Sequence, residues 1–143
     1  MKKMLIVEDD DLSQKVLRRI FRDDFEMDFC DSVDEYYEKY SISNYDIIIM
    51  DISLKGAKTG LELIKEIKAS STFTGTPIIC LTAHAQVRTQ KAAIESGSDL
   101  FITKPVSNNV LKEAVFSLIK WNQICLWLKS ILIYILHLTV IKD

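Results

Sequence analysis

Two hydrophobic rhythms alternate along the chain. Short runs that are apolar almost throughout fall at 3–7 (KMLIV), 46–50 (DIIIM), 77–81 (PIICL) and 100–102 (LFI), with a weaker candidate at 25–30 (FEMDFC). Between them apolar residues recur at spacings of three and four. One such stripe is Leu12, Val16, Leu17, Ile20 and Phe21, and another is Leu61, Leu63, Ile64 and Ile67. Val87, Ala92, Ala93 and Ile94 form a third, and Val110, Leu111, Val115, Leu118 and Ile119 a fourth. Runs apolar on both faces are strands buried on both sides, and the stripes are amphipathic helices, so the order predicts a parallel sheet covered by helices on each face. Asp31 and Ser32 are placed to cap a second helix, Gly60 precedes a third and Gly97 stops a fourth. Pro77 and Pro105 stand at strand edges, where a missing N–H does little harm. The pattern is that of five βα units in one doubly wound α/β domain.

Composition narrows the field. A chain of 143 residues, 48% apolar and 27% charged, is large enough for one core. A net charge of −2 gives no basic field, so direct nucleic-acid binding is not expected. Charge is instead local: Glu8 to Asp11 are all acidic, Asp23, Asp24, Glu26, Asp28 and Asp31 crowd the next segment, and Lys15, Arg18, Arg19 and Arg22 read as a solvated helix face. Three scattered cysteines exclude a disulfide framework or a zinc site. Cys30 and Cys80 lie inside strand-like runs, where a free thiol behaves as a small buried hydrophobe in a reducing compartment. The first apolar run is too short for a signal peptide, so a cytoplasmic location is expected.

In a doubly wound sheet, ligands bind beyond the carboxyl ends of the strands. Glu8 and Asp9 follow the first run, Asp51 the third, Thr82 and Ala83 the fourth, and Lys104 and Pro105 the fifth. Clustered carboxylates call for a hard divalent cation with oxygen ligands, which Mg²⁺ suits. Asp51 can then act as a nucleophile toward a phosphoryl group, with Lys104 as a second positive centre and the Thr82 hydroxyl as a donor.

Ile6-Val7-Glu8-Asp9, Ile49-Met50-Asp51, Leu81-Thr82-Ala83 and Thr103-Lys104-Pro105 together resemble the signature blocks of response-regulator receiver domains. The resemblance covers roughly residues 1–121. It implies a flavodoxin-like fold of strand order 2-1-3-4-5. It also implies phosphorylation of Asp51 by a sensor histidine kinase or a histidine phosphotransfer protein, with Mg²⁺ held by Asp9, Asp51 and the backbone carbonyl of Ser53, and with Glu8 acting mainly through a water. The family further implies a switch in which Thr82 moves toward the phosphoryl group and Phe101 turns inward, altering the face of the fourth helix, fifth strand and fifth helix for a downstream effector protein. Ser53 and His84 occupy positions that border the phosphoryl group in relatives and are expected to tune its lifetime. Lys55 stands where many relatives have proline, and the loop before Gly60 is one residue longer, so a different loop shape is expected.

Two other functions fit the sequence less well. An aspartyl-phosphate phosphatase wants a second aspartate two residues after the nucleophile, where this chain has Ser53, so turnover beyond self-phosphorylation and autodephosphorylation is not expected. A flavin protein would place phosphate against Glu8 to Asp11, which repel it. A receiver fragment of a hybrid histidine kinase or larger regulator stays open.

The chain continues past Trp121 into an apolar extension, 122–143, in which fourteen of the eighteen residues from Ile124 to Ile141 are apolar. Four readings compete: a helix that buries its apolar side in a homodimer, one that packs back onto its own domain, a membrane anchor, and an accident of gene boundary. Lys129 within the run makes a membrane span costly, so membrane contact is not the expectation. Twenty residues are too few for a DNA-binding domain.

Overall fold

A computed structural model describes the backbone from Met1 to Val140 and side chains as far as Ile131; residues 141–143 of the expected extension lie outside the described residues. The five apolar runs form strands β1 (Lys2–Val7), β2 (Phe25–Cys30), β3 (Ile47–Met50), β4 (Ile78–Thr82) and β5 (Leu100–Thr103). All pair in parallel in the order β2-β1-β3-β4-β5. This is the expected flavodoxin-like sheet. β2 alternates buried and exposed positions because it is an edge strand, which is why its run is the weakest in sequence.

Helices α1 (Asp11–Phe21), α2 (Val33–Glu35, continuing as a π-helical turn Tyr36–Tyr40), α3 (Gly60–Ala69), α4 (Val87–Ser96) and α5 (Asn108–Val140) complete the units. Side chains that alternate along the central strands separate two cores. On one face Met4, Ile6, Ile49 and Leu81 pack with Phe21 of α1 and Leu111, Val115 and Ile119 of α5. On the other, Leu5, Val7, Ile48 and Met50 pack with Val33 and Tyr36 of α2 and Leu63 and Ile64 of α3. Each such fully buried side chain contributes about 1.5–3 kcal/mol relative to exposure.

Several expectations need correction. In α1, only Leu17 and Phe21 are buried and Ile20 half-buried, while Leu12 and Val16 face solvent. In α4, Ala93 is buried but Val87 and Ile94 are exposed, because this helix rests on α3 and β5 by a narrow small-residue edge. Gly60 does not precede α3 but begins it; Thr59 is the cap, its hydroxyl accepting from Glu62 N while the Glu62 carboxylate accepts from Thr59 N at 2.7 Å. Ser32 caps α2, accepting from Glu35 N at 3.3 Å. Gly97 ends α4 with φ 103°, a left-handed conformation glycine adopts without a Cβ penalty. Cys30 and Cys80 are buried as expected.

α5 runs through Trp121 without interruption. Between Trp121 and Ser130 its side chains are exposed apart from half-buried Asn122, so this stretch does not pack onto the domain. Among the described residues no helix is long and apolar enough to cross a membrane.

Candidate functional site

The sheet ladder extends one step past β1, β3 and β5 and carries the chemistry with it. Glu8 N donates to Cys30 O at 2.9 Å, Asp51 N to Val7 O at 2.9 Å, and Lys104 N to Thr82 O at 2.8 Å. Register pairs Val7 with Met50 and Thr82 with Thr103, so Glu8, Asp51, Thr82 and Lys104 emerge level at one sheet edge.

Lys104 organises the cluster. Its Nζ lies 2.5 Å from Glu8 Oε2 and 3.4 Å from Asp51 Oδ2. Glu8 and Asp51 are only 3% and 9% exposed, so these charges interact where water screens weakly. Burial pushes the Glu8 carboxyl above its ordinary range, although the Lys104 ammonium and the Asp10 N–H offset part of that cost. Burial alone would depress Lys104; its bonds to Glu8 and Asp51 outweigh that and raise it, so it is a cation at any physiological pH. Asp9, half-buried, stands beside Glu8 at the mouth.

The Asp51 carboxylate is pinned from the loop side. Its Oδ1 accepts from Ile52 N at 2.6 Å and Ser53 N at 3.3 Å, leaving Oδ2 facing Lys104. Thr82 is wholly buried, and its Oγ1 accepts from His84 N at 3.3 Å. Over the mouth, Ser53 Oγ and His84 Nε2 approach to 2.7 Å, linking the loops after β3 and β4. Phe101 is half-buried on β5. The loop at Lys55 folds back: Lys55 forms an isolated bridge with Ser32, and its Nζ lies 3.7 Å from Asp31 Oδ2.

Four contacts were not foreseen. Gln14 Nε2 donates to Glu8 O at 2.6 Å, and the Asp10 side chain caps α1 by accepting from Ser13 N at 2.7 Å while its own N–H donates to Glu8 Oε1. The Asp-x-x-Ser spacing carried a signal for the cap, whereas a glutamine one turn into a helix carries none. Direct pairing of Lys104 with Glu8 is the fourth.

Among the described residues no three His, Cys, Asp or Glu side chains form a ready metal cage. The donor set nonetheless suits a hard cation. Glu8, Asp9 and Asp51 against Lys104 leave three carboxylates and one ammonium, formally −2, all with oxygen donors.

A parallel sheet with a buried aspartate, an acidic pair, a hydroxyl and a lysine at one edge is a doubly wound α/β domain with an acidic site set against a lysine. The chain belongs to the response regulator receiver domain family, which it matches over residues 4–116. It is 31% identical over 119 residues to the regulatory protein VanRB of Enterococcus faecalis, covering 82% of this chain and 52% of that protein. Identity is again 31% over 115 residues with the chemotaxis protein CheY of Halobacterium salinarum, covering 80% of this chain and 93% of the relative. The receiver domain of the sensor histidine kinase PA1611 from Pseudomonas aeruginosa, solved with a magnesium ion in its active site cleft, shares the fold at a TM-score of 0.75 and 24% identity, over 83% of this chain and 98% of that one. This chain spans between 9% and 52% of the first curated relatives it matches, sensor histidine kinases among them.

Proposed function

We propose that Asp51 accepts a phosphoryl group from a phosphohistidine on a sensor kinase or histidine phosphotransfer protein, and that this switches a partner-binding face. The observation that carries the reading is the state of the Asp51 carboxylate: nearly buried, fixed through Oδ1 by two amides, with Oδ2 turned to the Lys104 ammonium. Such a carboxylate is oriented before its substrate arrives, which removes much of the entropic cost of attack.

The chemistry is a displacement. An Asp51 oxygen attacks phosphorus, the P–O bond forms as the P–N bond breaks, and the leaving imidazole keeps the electron pair and takes up a proton. Asp9, Asp51 and the Ser53 carbonyl would hold Mg²⁺, with Glu8 at one remove, and the ion supplies positive charge against the phosphoryl oxygens. Lys104 moves its ammonium from Glu8 toward the same oxygens, and the Thr82 hydroxyl, which accepts from His84 N, turns to donate its O–H to a phosphoryl oxygen. Phe101 follows Thr82 inward. Val87 and Ile94 of α4 and Val110 of α5 lie bare on the face that this motion reshapes, which suits an effector protein as its reader. The bridge between Ser53 and His84 would govern how easily water reaches the phosphoryl group.

A second reading, a receiver segment of a hybrid kinase, is favoured by the small share of the matched sensor kinases that this chain spans. The chemistry at Asp51 is common to both.

Intact mass after incubation with acetyl phosphate and Mg²⁺ tests the proposal. A labile gain of one phosphoryl group, absent in Asp51→Asn and absent without Mg²⁺, is expected. No gain in the natural chain would overturn it.

A further inference from the structure

The half of α5 beyond the domain leaves a set of apolar side chains bare, among them Trp121, Ile124, Trp127 and Leu128. Buried residues Leu111, Val115 and Ile119 mark the side of α5 that faces its own domain. Another line of positions runs from Val110 to Trp121, Ile124, Leu128 and Ile131, reaching Leu138 in sequence, at spacings that alternate four and three without a break. At 3.6 residues per turn this line lies roughly 130° around the helix from the domain-facing side. Along it Val110, Ser117, Trp121, Ile124 and Leu128 are exposed, and Ala114 and Ile131 half-buried.

The spacing has a physical meaning. A strict seven-residue repeat with two apolar positions is the pattern by which one helix wraps another with left-handed supercoiling. Within the span of the domain the line passes through Ala114 and Ser117, whose small side chains allow close approach where two bulky domains would otherwise collide. No ionisable residue occupies the line between Val110 and Leu138; Lys120 and Lys129 both stand off it. Pairing two copies along it therefore buries no charge.

The area is adequate. A tryptophan buries about 200 Å², and 1.5–3 kcal/mol per aliphatic side chain at ~25 cal/mol/Å² corresponds to about 60–120 Å² each. Val110, Trp121, Ile124, Leu128 and Ile131 with the flanking Trp127 thus present on the order of 600 Å² per helix, or about 1,200 Å² for a pair, which reaches the range of specific interfaces.

We infer that a second copy of this chain covers the line, so that two receivers are joined through paired α5 helices. This surface meets the α4–β5–α5 face only at its domain end, at Val110, and its greater part, Trp121 to Ile131, lies beyond it and does not depend on phosphorylation of Asp51.

Two leucines test the inference. Leu126 and Leu128 are similarly exposed, 44% and 53%, but Leu128 lies on the line and Leu126 on the opposite side. Light scattering and sedimentation of the full chain over a concentration series should give a dimer. Leu128→Asp should weaken it by at least about tenfold, whereas Leu126→Asp should leave it intact. Ile124→Asp, also on the line, should repeat the Leu128→Asp result, and far-UV circular dichroism reports that each variant stays folded. A natural chain that is monomeric throughout overturns the inference, as does equal weakening by both leucine variants, which would mean unspecific apolar association. Monomers that sediment with phosphatidylglycerol vesicles would assign the helix to a lipid surface instead.

Discussion

Replacing Gly60 by alanine should damage both the stability and the chemistry of this domain, against the ordinary tendency of the substitution. Gly60 opens α3, and its N–H donates to Ile52 O at 2.8 Å. A Cβ there would sit 1.9 Å from the Asp51 carbonyl oxygen, 2.9 Å from its carbon and 3.1 Å from Ile52 Cα. All three are backbone atoms at the end of β3, where Asp51 stands, and none can rotate away. Ordinary contact begins at 3.4 Å, so helix and strand end must part by about 1.5 Å. The helix is held from behind by Leu63 and Ile64, both fully buried, and the strand end by the bond from Asp51 N to Val7 O. Helix propensity favours alanine by up to ~1 kcal/mol. Forcing a methyl into packed surroundings costs typically ~1–3 kcal/mol, and a backbone obstacle lies at the upper end. The net loss is about 2 kcal/mol. With a urea m-value of about 1.5 kcal/mol/M, the midpoint should fall by roughly 1 M with m unchanged. Acetyl phosphate labelling of Asp51 should slow by at least about tenfold, because displacement on the ångström scale weakens a positioned nucleophile. A Gly60→Ala protein with an unchanged or higher midpoint would refute the close approach and the reasoning built on it.

Burial pushes the Cys30 thiol up to about 11 and the Cys80 thiol to about 12. Both would ionise near 8.5 in an unfolded chain, so their contribution to stability is full below that pH and is lost as pH rises toward 11–12. Burial raises Tyr37 and Tyr45 in the same sense. Urea midpoints should therefore hold to about pH 8 and decline above it, less steeply in a Cys30→Ala/Cys80→Ala double variant; an identical decline would assign the effect elsewhere. In the native protein iodoacetamide should modify exposed Cys125 alone, read by peptide mass. For the Ser53–His84 bridge, Ser53→Ala and His84→Ala should each change the lifetime of the phosphorylated protein by about two- to tenfold, the range of one net hydrogen bond. The double variant should match a single one; additive effects in a phosphate-release assay would show two independent roles.

The central strands were legible because burial on both faces leaves no room for polar positions. The site was legible because parallel strands deliver their carboxyl ends to one edge, so a residue's place after an apolar run fixes its place in space. The unforeseen details lie where spacing underdetermines packing. Val87 and Ile94 fit a helical stripe as well as Ala93 does, yet only the small residue finds a neighbour. Leu12 and Val16 likewise look like core until the helix is rotated by its contacts. Gly60 reads as a boundary glycine in sequence, whereas its reason is a carbonyl oxygen supplied by another segment. Lys104 is 96 residues from Glu8, and no local pattern announces their pairing.

The ladder bonds that run one step beyond the strands divide the site into two mechanical parts. The backbones of Glu8, Asp51 and Lys104 hang from the sheet's own hydrogen bonds and can shift appreciably only when the domain as a whole opens. Ser53, His84 and the Lys55 loop are held mainly by exposed side-chain and loop contacts, which break at little cost and close again by themselves. On the proposed function, a donor protein can therefore displace the cover without disturbing the Asp51 backbone beneath it. On the same proposal, changes in the cover would alter how long a signal lasts while the reaction that starts it stays the same.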